Sequence, residues 1–242
     1  MTLANGRTYL AIPGPSAGPD RVLQAMHRPA PNSYTGPLVE MGEGMVPDLQ
    51  AVARTEGQVA MYIANGHGVW EAALANTCAP GDRVLVIATG MFARSWADMA
   101  QRLGLRADIL DFGDRSGLTP ALVEETLRRD SRGAIKAVMA VQVDTATSVR
   151  NDIPALRRAM DAAGHPALLM VDSIACLGCD DFHMDAWGVD VMVAGCQKGL
   201  MTPPGMAFVF FNAKAAAARA ALPRVSRYWD WTPRANPEEF FM

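Results

Sequence analysis

Six apolar runs of strand length recur along the chain, at 84–88, 107–110, 136–143, 167–172, 190–194 and 206–211. Most are apolar at every position rather than at alternate ones, as in strands of a sheet covered on both faces. Between them lie stretches of helical period, at 67–78, 92–103, 120–129, 153–163 and 213–222. Alternation of this kind requires crossover connections, so the pattern predicts an α/β fold, a three-layer α/β/α arrangement around a mostly parallel sheet. The first 57 residues read differently. Pro and Gly recur there every few positions, as in Pro13-Gly14-Pro15, which predicts a turn-rich arm with two short helices. No internal repeat or low-complexity tract interrupts the chain.

Composition narrows the class. The 242 residues are 50% apolar and 19% charged, which suits one large globular domain or one and a half and excludes disordered and fibrous classes. No apolar run approaches the ~20 residues that span a bilayer, and the first ten residues carry neither a basic region nor an apolar one of signal-peptide type. A soluble, cytoplasmic protein is expected. The net charge of -3, with no Lys/Arg block, gives no electrostatic footprint for nucleic acid or an anionic membrane. Cys78, Cys176, Cys179 and Cys196 are expected as free thiols. The Cys176-x-x-Cys179 pair lacks a second pair at zinc-finger spacing, so no metal site is expected and buried thiols are the simpler reading.

Ligands of open α/β sheets lie beyond the carboxyl ends of the strands, so the residues just after each run carry the most weight. Asn65-Gly66-His67-Gly68 follows the apolar stretch 59–64 and opens a helix. Such a turn offers free backbone N–H groups to a phosphate, although Asn65 is equally an ordinary helix cap. Asp172 ends a buried run. A carboxylate there requires a partner such as a protonated ring nitrogen, a metal or an arginine, unless it too is a cap. Lys198 is one of only three lysines among 22 basic residues, and it follows a buried run inside a small-residue loop closed by Pro203-Pro204-Gly205. Lys136 and Lys214 read as solvated surface charges. A lysine in a dry site favours its neutral amine, which can form a Schiff base with an aldehyde. A phosphate cradle, an acid and a lysine in this order fit one cofactor, pyridoxal 5′-phosphate, which needs an anchor, a partner that keeps its ring nitrogen protonated and an amine.

These residues sit within motifs that resemble the class V aminotransferases of the fold-type I pyridoxal-phosphate enzymes, most of all the serine–glyoxylate and alanine–glyoxylate aminotransferases. The likeness runs through Pro13-Gly14-Pro15-Ser16, Gly66-His67-Gly68-Val69-Trp70-Glu71, Gly90-Met91-Phe92, Thr145-Ala146-Thr147, Val171-Asp172-Ser173 and Gln197-Lys198-Gly199-Leu200. It implies Lys198 as the Schiff-base lysine and Asp172 as the partner of the pyridine nitrogen. Gly66 and His67 would form the phosphate cradle, with Gln197 as a phosphate contact beside the lysine. Phe92 would stack on the ring, and the Thr145 hydroxyl would lie near the ring oxygen. The implied activity is transfer of an amino group from a small L-amino acid to a 2-oxo acid, with glyoxylate as acceptor, in a homodimer.

The likeness also assigns domains. Residues 1–57 become an arm and the start of the large domain, 58–223 the cofactor-binding large domain, and 224–242 the start of a connection to a small C-terminal domain that the sequence does not contain. In relatives that domain carries the arginine for the substrate carboxylate, and Arg21, Arg94, Arg227 and Arg234 are the candidates to replace it. Two segments depart from the pattern: His-Asn-Glu-Thr-x-Thr-Gly reads Gln142-Val143-Asp144-Thr145-Ala146-Thr147-Ser148, and His-Arg-Ser reads Asn32-Ser33-Tyr34. Among alternatives, a cysteine desulfurase would have His before the lysine, where Gln197 stands. A dinucleotide-binding dehydrogenase would need a third glycine after Gly68. A non-catalytic dimerisation remnant of the same fold is a further reading.

Overall fold

In a computed structural model, which describes residues 10–236, the apolar runs form strands and the periodic stretches form helices. The apolar run Phe240-Phe241-Met242 lies outside the described residues. In chain order the elements are α1 (Asp20–Met26), α2 (Pro37–Ala53), β1 (Gln58–Ala64), α3 (Gly66–Ala75), β2 (Arg83–Ala88), α4 (Met91–Arg102), β3 (Arg106–Asp111) and α5 (Pro120–Arg129). There follow β4 (Ile135–Val141), α6 (Ile153–Ala162), β5 (Leu168–Asp172), β6 (Val191–Gly195), β7 (Gly205–Phe211), α7 (Ala213–Ala221) and α8 (Trp231–Arg234).

The strands form one seven-stranded sheet in the order β1-β7-β6-β5-β4-β2-β3. Pairings among β2 to β6 are parallel, and β7 runs antiparallel to both of its neighbours. Alternating side chains divide the core. Leu85 and Ile87 of β2 join a cluster with Leu127 and Leu156 of α5 and α6, whereas Val84 and Val86 join Trp70 and Trp96 of α3 and α4. Each face of the sheet is thus covered by helices, as continuous apolar strands require.

Two expectations need correction. The stretch 59–64, read as an apolar lead into a turn, is a full strand, and its strand partner among the described residues is β7, roughly 150 positions later. The arm has not two short helices but one short helix and one of 17 residues, α2. Its Gly42, Gly44 and Pro47 disguise it in the sequence, yet Pro37 takes the first turn, where its missing N–H is harmless, and Gly42, Leu49 and Ala53 are buried. Packing overrides local propensity there.

Past α7 the chain returns to β1, β7 and the end of α3. Tyr62 Oη and Asn76 Nδ2 donate to Trp229 O at 2.9 and 2.6 Å, and the Trp231 N–H donates to Asn76 Oδ1 at 3.1 Å. The Trp231 ring stacks on Phe211 at 4.2 Å.

Candidate active site

The loops that leave the carboxyl ends of β1, β2, β4, β5 and β6 carry the side chains singled out above. Asn65 caps α3 by accepting the Gly68 N–H at 3.1 Å. The cap and the turn expected to cradle a phosphate are therefore the same, because the first N–H groups of a helix have no acceptor inside it. Gly66 and His67 form that turn and line a cavity of about 240 Å³. A Cβ at 66 would lie 2.5 Å from Ile174 Cδ1, so a side chain there requires the tip of Ile174 to move.

Asp172 ends β5 and is only 3% exposed. Its Oδ1 accepts the Ile174 N–H and its Oδ2 the Trp70 indole N–H, each at 2.7 Å. Burial pushes its carboxyl up to about 6, and the nearby Asp144 adds to this, while the two donors and Lys198 pull the other way. Lys198 lies three residues past β6 and is half-buried. Its Nζ donates to Thr145 Oγ1 at 3.0 Å. Burial lowers its affinity for a proton, against the opposing pull of Asp172 and Cys179. The arm crosses this lysine: the Ser16 N–H and hydroxyl donate to Gln197 O at 2.8 Å and Lys198 O at 2.7 Å. Gly14 has φ +146°, and a Cβ there would come within 2.9 Å of Lys198 Cε.

Phe92 stands in the first turn of α4. Asp144, fully buried, fixes that turn to the loop after β4 by accepting the N–H groups of Phe92 and Ala146, both at 2.9 Å. Gln197 borders the cavity beside Gly195, where a Cβ would fall 2.7 Å from its Oε1. Gly66, His67, Phe92, Thr145, Asp172, Gln197 and Lys198 thus meet around one cavity. A larger cavity of about 330 Å³ lies at the opposite ends of β2 and β4, but Arg83 there is paired with Asp108 and Asp130 and Arg129 with Glu125.

Other expectations turn out differently. Lys214 is not simply solvated: its Nζ donates to Ala167 O at 2.8 Å and reaches Asp190 at 3.3 Å. None of the four candidate arginines lines the cavity. Arg94 is held by Asp111 and Asp114, and Arg234 lies over the rings of Tyr62 and Tyr228. Cys176 is buried and Cys179 exposed, both as free thiols. Trp70 and Asp144, which tie the site together, were not singled out from sequence as functional. The adjacency of Trp70 to the cradle and the position of Asp144 within a departing motif were the available signals.

The model of the family described as aminotransferase class-V matches residues 8–223. The chain belongs to the class-V aminotransferase family. It is 41% identical over 244 residues to the serine–glyoxylate aminotransferase of Methylorubrum extorquens, covering 98% of this chain and 61% of that protein. It is 42% identical over 219 residues to the L-aspartate–glyoxylate aminotransferase of Paracoccus denitrificans, covering 88% and 54%. Among solved structures, an aspartate aminotransferase of subgroup IV from Thermus thermophilus superposes with a TM-score of 0.84 at 30% identity, over 92% of this chain and 61% of that one. The class-V chain described here therefore spans between half and two thirds of the length of these relatives. Pyridoxal 5′-phosphate is the cofactor of class-V aminotransferases, in agreement with the three strand-end features.

Proposed function

We propose that the protein transfers an amino group from a small L-amino acid, of the serine or alanine type, to a 2-oxo acid, with glyoxylate as acceptor. One observation carries this reading: the Lys198 amine and the buried Asp172 carboxylate enter one cavity from different strand ends, beside the N-terminus of α3. The glyoxylate-dependent activities by which the two relatives are named support the acceptor.

The residues fit the cofactor. Gly66, His67 and Gln197 would hold its phosphate, where α3 presents unpaired N–H groups and a positive dipole end. Phe92 would lie against the ring, Thr145 near its ring oxygen, and Asp172 at its nitrogen. When bound, pyridoxal 5′-phosphate supplies an aldehyde carbon that bonds to amines and a protonated ring that draws electrons from the carbon losing its proton.

Lys198 Nζ would be the amine to which the aldehyde bonds, and, once freed by the substrate amine, the base that takes the substrate α-proton and the acid that returns it. Partial burial favours the neutral amine that this base role needs. The Thr145 hydroxyl holds Nζ at the cavity. Asp172 must be ionised opposite a protonated ring, and its two N–H donors favour that form.

Lys198→Ala tests the assignment. Borohydride should fix the cofactor to the parent protein and to Lys136→Ala and Lys214→Ala, adding mass, and leave Lys198→Ala unmodified. Mass added to Lys198→Ala would refute it. A panel of amino donors with glyoxylate then identifies the donor.

The same reading includes a homodimer in the cytoplasm. Exposed apolar side chains support the first: Ile63 is 74% exposed beside Tyr228, and Leu23 and Met201 flank Gly18. Free thiols support the second. Sedimentation equilibrium that finds only monomer at micromolar concentration would refute the dimer.

A further inference from the structure

We propose that Trp70 is a positioning residue for Asp172: its indole N–H fixes the orientation and ionised form of the carboxylate, and its ring braces His67 and Phe92 around the same cavity. The inference rests on the function proposed above, and it concerns a side chain to which that reading gives no role.

Trp70 lies one helical turn past the cradle in α3, and its indole is 1% exposed. Buried indole N–H groups usually find a carbonyl or water. Here the acceptor is Asp172 Oδ2, 2.7 Å away and 102 positions later in the sequence. A hydrogen bond to an ionised acceptor is roughly twice as strong as a neutral one, and it fixes the direction in which the acceptor faces. Oδ1 is held by the Ile174 N–H, so both oxygens are anchored while the carboxylate still borders the cavity. The Trp70 ring makes edge contacts with His67 at 4.8 Å and with Phe92 at 6.2 Å. One side chain therefore touches three of the groups assigned to the cofactor.

Trp96 provides the internal comparison. It stacks on Trp70 at 5.7 Å in the same core, yet its own indole N–H is buried without a partner. Filling this core does not require a polar partner, so the bond from Trp70 to Asp172 is a property of the site. The other groups facing Asp172 are Lys198 from the loop after β6, Asp144 from the loop after β4 and Cys176 from the turn after β5, with His67 across the Trp70 ring. Trp70→Phe leaves them in place and keeps an aromatic ring over Trp96.

The test uses the cofactor-free protein. Its aspartates are labelled with carbon-13 at the carboxyl, and the Asp172 signal is assigned by its loss in Asp172→Asn. Trp70→Phe should raise the Asp172 titration midpoint by about one to two pH units, the effect of losing one charge-assisted donor. An unshifted midpoint overturns the proposal. Should Trp70→Phe fail to fold, the parent protein still decides. One indole N–H resonance should follow the Asp172 titration with pH and lose that response in Asp172→Asn, and five indole signals indifferent to both would overturn the proposal. Neither measurement involves the cofactor, so failure of borohydride fixation at Lys198 and failure of this coupling are separate results.

Discussion

Gly90→Ala is a sharp probe of how the site is assembled. A Cβ at 90 would overlap the Asp144 carboxyl carbon and both of its oxygens, the farther at 2.6 Å. Conformation is no obstacle, because the φ of 172° at Gly90 is extended backbone open to any residue. Asp144 cannot step aside. Its oxygens accept the Phe92 and Ala146 N–H groups, its own N–H donates to Val149 O at 3.1 Å, and its carbonyl accepts the Ser148 N–H at 2.8 Å. Relief requires the carboxylate to rotate, which breaks both of its bonds, or the start of α4 to lift, which breaks the one to Phe92. At about 1.5–3 kcal/mol for each hydrogen bond to a charged group, the variant should lose about 1.5–6 kcal/mol of stability. Urea unfolding of the cofactor-free protein measures this. The double variant with Asp144→Ala removes the clash, so its loss should be smaller than the sum of the two single losses. A loss below about 1 kcal/mol for Gly90→Ala, or strict additivity, would refute the latch from Asp144 to Phe92.

Asp172 should impose a pH slope on the cofactor-free protein. Its folded value of about 6 lies above the ordinary 3.8, so the folded state binds the extra proton between them, and stability falls as pH rises through that window by about 3 kcal/mol in all. Urea midpoints against pH should show this fall in the parent and lack it in Asp172→Asn; identical slopes would show that the carboxyl is not held in a costly ionised form. Trp231→Ala should cost about 3–5 kcal/mol, because a buried ring stacked on Phe211 leaves a cavity. A change in urea midpoint worth under 1 kcal/mol would mean that the segment after α7 rests on the domain without stabilising it.

The sheet was legible wherever both faces are buried, because β2, β4, β5 and β6 are apolar without interruption. Neighbours far apart in sequence were not: β1 pairs with β7, and α2 carries glycines and a proline that its buried face overrides. Lys198 stood out because lysine is scarce and because it follows a buried strand, and Asp172 because a carboxylate at such a tip needs partners. The partners themselves were hidden. Nothing local in the sequence joins Trp70 to Asp172 or Gly90 to Asp144, since each meeting depends on two strands ending at the same edge. Lys214 was misread for the same reason: the carbonyl that it reaches belongs to Ala167, on another part of the chain.

The place of β7 between β1 and β6 also sets a timetable for synthesis. Gln58 pairs with Phe211, roughly 150 positions later, and among the described residues β1 has no other strand beside it. At roughly 5–20 residues per second a ribosome needs roughly 8 to 30 seconds to make that interval. Throughout it, the apolar segment Gln58–Ala64 is finished yet has no neighbour along its hydrogen-bonding edge. The five strands from β2 to β6 can assemble in the meantime through short crossovers, so β1, made before them, is covered after them. Any holding chaperone that attends this chain at the ribosome should therefore find its binding segment at β1, and should lose it once β7 has emerged.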